Sequence, residues 1–427
     1  MHKLSRRQFL TTLTGTAAAS MLGYPLLSSG AFRARVIVVG GGYGGATAAK
    51  YLRLADPRIE VILIEKNEQF VSCALSNEVL AGERSLASLS FGYQPLTSFY
   101  GVKVVHDEVT RIDAESRIVS TRGGEEFGYD RLIVAPGVSF KWNAIEGYDS
   151  DAAQVLPHAW KAGEQTLLLR RQLEAMPDGG RVYIVSPPNP YKCPPGPYER
   201  AALIAHYLTQ LGKQRSKVII LDAKDSFAKQ ALFEQGWEKN YPGMISWVPA
   251  SADGRVLRVD VKKRTLYTEF DVHKGDVLNI IPPQKAGTIA EAAGLTNDKG
   301  WCPVDQQTFE SSNREYIHVI GDACIAGSMP KAGYSANSQA KVCAAAISAL
   351  IDGTAPPAPS YINTCYSIIA PDYGISVAAV YRLDKGNIVS VEGAGGSSPL
   401  DASAWERKME ATYARSWFDN ITSDIFG

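Results

Sequence analysis

Cysteine is the residue type in this chain best suited to covalent or redox chemistry, and there are six: Cys73, Cys193, Cys302, Cys324, Cys343 and Cys365. A thiolate is a nucleophile and a disulfide sulfur an electrophile, so cysteines in a cleft can exchange sulfur and electrons with small sulfur anions. None of the six lies in a C-x-x-C pair, and no metal-ligand spacing occurs, so no metal site is expected. Cys193 stands out by its surroundings. It lies in "YKCPPGPYERA", between the apolar run "RVYIVSPP" and an amphipathic stretch. A turn from strand to helix is the usual seat of a glycine-rich phosphate loop. Proline has no N–H to offer a phosphate, and its ring fills the space glycine leaves open. Pro187, Pro188, Pro190, Pro194, Pro195 and Pro197 therefore argue against a bound pyrophosphate. They leave a stiff corner that presents Cys193 at the carboxyl end of a strand, where ligands of α/β proteins bind.

The elements around this corner follow a nucleotide-binding rhythm. "ARVIVVGGGYGGATAAKYLRLADPRIEVILIEK" holds an apolar strand, Gly40, Gly42 and Gly45 in G-x-G-x-x-G spacing, a helix, and a second strand ending at Glu65. An acid about 20 residues beyond the glycines suits a ribose hydroxyl. The segment "YDRLIVAPG", ending at Gly137, resembles the strand and turn that rejoin the cofactor in two-dinucleotide flavoproteins. "YIHVIGDACIAG" supplies Asp322, which in that superfamily hydrogen-bonds the FAD ribitol, and a small-residue helix follows. Together these select FAD. A second unit repeats the rhythm with strands at Val182–Val185 and Val218–Leu221, a helix over Tyr198–Leu211, and Asp222 after the second strand.

The expected fold class is α/β, with two Rossmann-like dinucleotide-binding domains and a small C-terminal domain. The FAD domain is discontinuous, over 31–150 and 286–355; the second Rossmann-like domain, lacking an NAD site, covers 151–285, and the C-terminal domain 356–427. Basic and acidic residues balance at 44 each, which gives no charge signal for nucleic acid. Residues 1–30 read as a signal peptide: "SRRQFL", a short apolar run and "SSGA" resemble a twin-arginine export signal, which implies a periplasmic protein exported folded. Trp405, Met409, Tyr413 and Trp417 recur every four residues in the last helix, a stripe expected to pack into the core rather than to form a box for a partner, and able to cap the flavin from the C-terminal domain.

"CPPGPYERA", "NTCYSI" and the C-terminal "SWFDNITSDIFG" make the resemblance specific. The whole chain beyond the signal resembles the flavoprotein subunit of flavocytochrome c sulfide dehydrogenases, a branch of the sulfide:quinone oxidoreductase group. That resemblance implies FAD bound covalently through a thioether from Cys73 to the flavin 8α-methyl. It implies a redox disulfide between Cys193 and Cys365 beside the isoalloxazine, with Glu199 handling protons. It further implies oxidation of hydrosulfide to sulfur or polysulfide, with electrons passed to a c-type cytochrome subunit in a heterodimer. No C-x-x-C-H haem motif is present, so any haem belongs to the partner.

Other readings stand beside it. Cys193 and Cys365 could form a structural disulfide or remain buried thiols; the proline corner favours a redox role. Glu199, in the first turn of its helix, could simply complement the helix dipole. Cys302, Cys324 and Cys343 sit in apolar or strand-turn settings and read as structural. Lys331 is a flavin contact or a solvated end. Three functional rivals remain: a membrane-associated sulfide:quinone oxidoreductase, an NAD(P)H-dependent reductase, and a non-catalytic electron-transfer subunit. The charged segment "AWERKMEATYARSWFDNITSDIFG" speaks against an integral membrane span, and the proline turn against NAD(P)H.

Overall fold

In this computed structural model the described residues are 32–427; the signal-peptide expectation over 1–30 lies outside them. The principal elements are β1 (Ala34–Val39), α1 (Tyr43–Ala55), β2 (Ile59–Ile64), α2 (Ser76–Leu80), β3 (Lys103–Val105), β4 (Arg131–Val134) and β5 (Arg181–Ser186). Then follow α3 (Gly196–Gln210), β6 (Lys217–Asp222), β7 (Ile245–Val248), β8 (Val277–Ile280), β9 (Ile317–Val319) and α4 (Gly333–Ile351). The chain finishes with β10 (Ser360–Ala370), β11 (Tyr373–Asp384), β12 (Asn387–Ser397) and α5 (Ala404–Phe426).

Continuous apolar runs such as "VIVV" and "VILI" suit parallel strands covered on both faces. β1 and β2 accordingly sit at the centre of a five-stranded parallel sheet ordered β9-β4-β1-β2-β3. Val39 pairs with both Ile64 and Val134, and Val134 with Val319. That register ends the strands level with one another. The residues just beyond them, including Gly40, Glu65 and Asp322, therefore share one edge. α1 and α4 pack together, and each buries small residues, among them Ala46 and Ala49 in α1 and Ala336 and Ala340 in α4.

A second parallel sheet, ordered β7-β6-β5-β8, pairs Ser186 with Asp222 and Val185 with Ile280. α3 runs from Gly196, two residues earlier than the predicted start, with Pro195 as its cap and Pro197 in its first turn. Two Rossmann-like sheets and a C-terminal sheet-plus-helix unit agree with the α/β expectation.

That last unit is the antiparallel sheet β10-β11-β12 with α5 packed on β10 and β11. α5 opens on a capping box: Ser403 Oγ accepts from the Glu406 N–H, and the Glu406 carboxylate accepts from the Ser403 N–H. The expected core stripe needs correction. Trp405 is 67% exposed and Tyr413 49%, while Trp417 is partly buried against Tyr334. A helix turns once per 3.6 residues, so a stripe every four residues drifts around it by about 40° per step. The face that packs instead carries Arg407, Ala411, Ala414, Phe418, Ile421 and Ile425. Among the described residues no helix is long and apolar enough to cross a membrane.

Candidate functional site

The carboxyl edge of the first sheet forms a cradle. Gly40 has φ +97°, and a Cβ there would lie 2.4 Å from the Ala135 carbonyl oxygen. A Cβ on Gly45 would lie 1.8 Å from the Gly40 oxygen, so the turn closes only around glycine. Gly42 caps α1 without any side-chain cap, and a Cβ on it would meet only the Phe70 ring, at 3.5 Å. Backbone N–H groups at such an open helix start suit a phosphate. Glu65 follows β2 directly, beside this turn; its Oε2 accepts from the Gly41 N–H at 2.8 Å and its Oε1 from Asn67. Gly137, at φ +62°, has nothing within 4 Å of the position a Cβ would take.

Asp322 follows β9 with its Oδ1 buried and without a hydrogen-bond partner among the described residues. Burial raises its pKa, against the nearby charges of Lys192 and Lys331. A buried acceptor without a donor is costly unless a ligand satisfies it. The glycine cradle, Glu65 and this orphaned oxygen fit a flavin dinucleotide. α4, like α1, starts without a side-chain cap.

The second half-site is filled by protein. Asp222, fully buried and placed where a ribose acid belongs, accepts from Tyr198 Oη at 2.5 Å, Trp247 Nε1 at 2.9 Å and Lys224 Nζ at 2.5 Å. Tyr198 stacks on Phe227 with ring centroids 3.6 Å apart. Lys224 also donates to Ser186 Oγ and to the Pro187 carbonyl. The acid and the space before the proline turn are thus both engaged within the protein.

The proline corner itself is pinned. Tyr191 Oη donates to the Pro194 carbonyl, the Lys192 N–H to Gln284 Oε1, and the Cys193 N–H to the Lys331 carbonyl at 2.8 Å. A Cβ on Gly196 would lie 2.6 Å from the Trp160 ring and 3.1 Å from Cys193 Sγ. The glycine in "CPPGP" therefore leaves room for sulfur and indole rather than for phosphate.

Cys193, Cys365 and Glu199 gather in one cluster. Burial pushes the Cys193 thiol up to about 12, with the charges of Glu199 and then Cys365 adding to the rise. Cys365 sits in β10 opposite Val377, and its Sγ accepts from Asn363 Nδ2 at 3.2 Å. Lys229 Nζ donates to the Cys365 carbonyl at 3.0 Å and to Ser367 Oγ at 2.8 Å. Glu199 accepts from the Ile368 N–H and from Asn77 Nδ2, each at 2.8 Å, and burial raises its pKa. All six cysteines are free thiols, so the implied Cys193–Cys365 disulfide stands here as a dithiol.

Cys73 lies in the turn before α2, its Sγ 3.1 Å from Lys192 Nζ and 3.6 Å from the Trp160 carbonyl oxygen. Arg200, almost wholly buried, donates to Asn77 and Asn279 side chains and to the His158 and Ala159 carbonyls, fixing the segment that carries Trp160. Lys331 turns inward: its Nζ donates to the Asp322 and Cys324 carbonyls and lies 3.9 Å from the centroid of the Trp301 ring.

Lys192, Lys229 and Asn363 are contacts the sequence reading missed. Lys192 and Asn363 stand within quoted motifs, so adjacency could have flagged them; Lys229 is remote from any motif and only the fold brings it in. Among the described residues no cluster of His, Cys, Asp or Glu could hold a metal ion.

Comparison with known proteins identifies three family segments along the chain. The family "Sulfide dehydrogenase [flavocytochrome c] flavoprotein chain, central" matches residues 166–282, and "Flavocytochrome c sulphide dehydrogenase, flavin-binding" matches 357–426. "Pyridine nucleotide-disulphide oxidoreductase" matches 34–173. The sulfide dehydrogenase flavoprotein chain of Chlorobaculum thiosulfatiphilum is 60% identical over 45 residues, which is 10% of this chain and 94% of that sequence. The mitochondrial sulfide:quinone oxidoreductase of Mus musculus is 24% identical over 307 residues, 67% of this chain and 65% of the relative. The sulfide-quinone reductase of Aquifex aeolicus is 27% identical over 173 residues, and this chain spans 38% of its length. In fold, the solved sulfide:quinone oxidoreductase of Aquifex aeolicus is similar at TM-score 0.70 and 16% identity, over 92% of each chain. The putidaredoxin reductase–putidaredoxin complex gives 0.65 at 17% identity, over 90% of this chain and 93% of that one. By its central and flavin-binding segments, this chain belongs to the flavocytochrome c sulfide dehydrogenase flavoprotein family.

Proposed function

We propose that the protein binds FAD along the edge of the first sheet and oxidises hydrosulfide to polysulfide or sulfur through a Cys193–Cys365 redox disulfide. Bound there, FAD supplies an acceptor for an electron pair that can be returned one electron at a time. Attack of hydrosulfide on one sulfur of the oxidised pair breaks the S–S bond, leaving that cysteine a persulfide and the other a thiolate. Transfer of the outer sulfur to a further hydrosulfide releases polysulfide and leaves two thiols. Return of the two thiols to the disulfide releases two protons and one electron pair, which FAD held at this edge would accept. Glu199, whose pKa is raised by burial, takes up the protons released, and Lys229 steadies negative charge beside Cys365.

One observation carries the reading: Cys193, Cys365 and Glu199 share one cluster at a nucleotide-type edge whose phosphate turn is proline and whose ribose acid is engaged internally. Electrons pass to a c-type cytochrome subunit in a heterodimer, and the twin-arginine sequence supports export to the periplasm. Quinone is the alternative acceptor, supported by the sulfide:quinone relatives. The test is spectroscopic. Sulfide should bleach the flavin of the purified protein, Cys193→Ser should retain FAD and resist bleaching, and stoichiometric NADH should do nothing. Bleaching of Cys193→Ser at the native rate refutes the mechanism. Reoxidation by cytochrome c but not by a soluble quinone supports the heterodimer, and the converse supports the alternative.

A further inference from the structure

Lys192 and Cys193 are consecutive, yet their side chains serve different sulfurs. Cys193 belongs with Glu199 and Cys365, whereas Lys192 Nζ reaches Cys73 Sγ at 3.1 Å and the Trp160 carbonyl at 2.9 Å. The clamps on the corner, from Gln284 to the Lys192 N–H and from Lys331 to the Cys193 N–H, fix the backbone from which the ammonium projects. A lysine ammonium within hydrogen-bond reach of a thiol favours the thiolate, and more so away from bulk water.

We propose that Lys192 is the positioning residue for covalent attachment of FAD, holding Cys73 as a thiolate so that its sulfur bonds to the flavin 8α-methyl carbon. The inference rests on the proposed binding of FAD and on the expectation, implied by the family resemblance, that a thioether from Cys73 carries it. In the overall step one S–H and one methyl C–H are lost and one C–S bond forms. The two protons and two electrons leave to an external oxidant, dioxygen in the assay below, which becomes hydrogen peroxide.

Cys73 is faced by Lys192 and Cys193 from the proline corner, by Lys161, by Arg200 on α3, by Tyr43 on α1 and by Asp322 beyond β9. Burial disfavours its ionisation, but the charge of Lys192, the Ala162 N–H and the Lys192 hydrogen bond outweigh burial and the Asp322 charge. Cys73 therefore titrates below an ordinary thiol, whereas burial holds its neighbour Cys193 far above one.

The full chain, produced in flavin-depleted cells, is mixed with FAD in air from about pH 6 to about pH 10, a window that spans the ordinary thiol. Covalent flavin is read as fluorescence that stays with the denatured, precipitated protein and maps to the Cys73 peptide. For Lys192→Met the midpoint of attachment should move up by about one pH unit or more, slowing attachment near pH 7 about tenfold, with recovery in alkali. Lys192→Arg should restore part of the rate. Iodoacetamide labelling of Cys73 without FAD, mapped by mass, should show the same shift even if Lys192→Met binds FAD weakly. An unchanged attachment profile and an unchanged labelling profile overturn the inference. Release of all flavin by the denatured native protein instead rejects the thioether reading on which it rests.

Discussion

The Ile368 N–H donates to Glu199 Oε1 at 2.8 Å, and this bond ties the strand bearing Cys365 to the helix that begins just after Cys193. A carboxyl in the first turn of a helix commonly complements the helix dipole. Here it also joins the C-terminal sheet to the proline corner, and burial keeps it more protonated than an exposed glutamate.

That shift has a pH signature. A carboxyl raised above its ordinary 4.5 contributes stability that is complete below that value and is lost as pH rises through the raised one. Denaturation of the native protein and Glu199→Gln across pH should show the native advantage shrinking as pH rises. The Gln amide also faces Asn77 Nδ2, donor against donor, so the variant starts about 1 kcal/mol weaker. An advantage that grows with pH would contradict the placement of Glu199.

Gly196→Ala forces a methyl against the Trp160 ring and Cys193 Sγ. Overpacking of this kind costs about 1–3 kcal/mol. Urea unfolding should register that loss, and sulfide bleaching should slow by more than the stability change explains, because the displaced sulfur is Cys193. Unchanged bleaching would mean that the corner tolerates movement.

Asp222→Ala leaves Lys224 and two buried donors without their common acceptor. Removing one partner of a buried ion pair typically costs about 3–5 kcal/mol. The variant should lose about that much in chemical denaturation while showing no gain of NADH-dependent flavin reduction. Gain of NADH reactivity would show that the second half-site still admits a nucleotide.

The face of α5 can be read by mutation. Trp405→Ser and Tyr413→Ser should each change stability by less than about 0.5 kcal/mol, as exposed positions do. Phe418→Ala, from the packed face, should cost about 3–5 kcal/mol. Ser403→Ala removes the cap of the same helix and should cost about 1 kcal/mol. Thermal unfolding ranks all four.

Local chemistry made much of this protein legible before its fold. The strand, glycine turn, helix and acid from Val36 to Glu65 are encoded by neighbours in sequence, and they form as read. Two nucleotide-type units and the proline corner were equally plain. The contacts that define the sulfur site were not, because they join distant segments: Lys192 to Cys73 across 119 residues and Glu199 to Ile368 across 169. No local rule pairs such residues. The Trp405 stripe failed for a different reason, since a spacing of exactly four departs from the helical period. Ser403 and Glu406 carry an S-x-x-E start signal that spacing alone could have revealed.

The clamps on Tyr191–Cys193 make the corner a cassette rather than a peptide. Its shape depends on an amide from Gln284 and a carbonyl from Lys331, both far along the chain. Grafting the six prolines alone into a nicotinamide-dependent scaffold would deliver a loop without its fasteners. A working transplant has to carry those two anchors as well, and inserting one residue between Lys192 and Cys193 would throw both sulfur centres out of alignment at once.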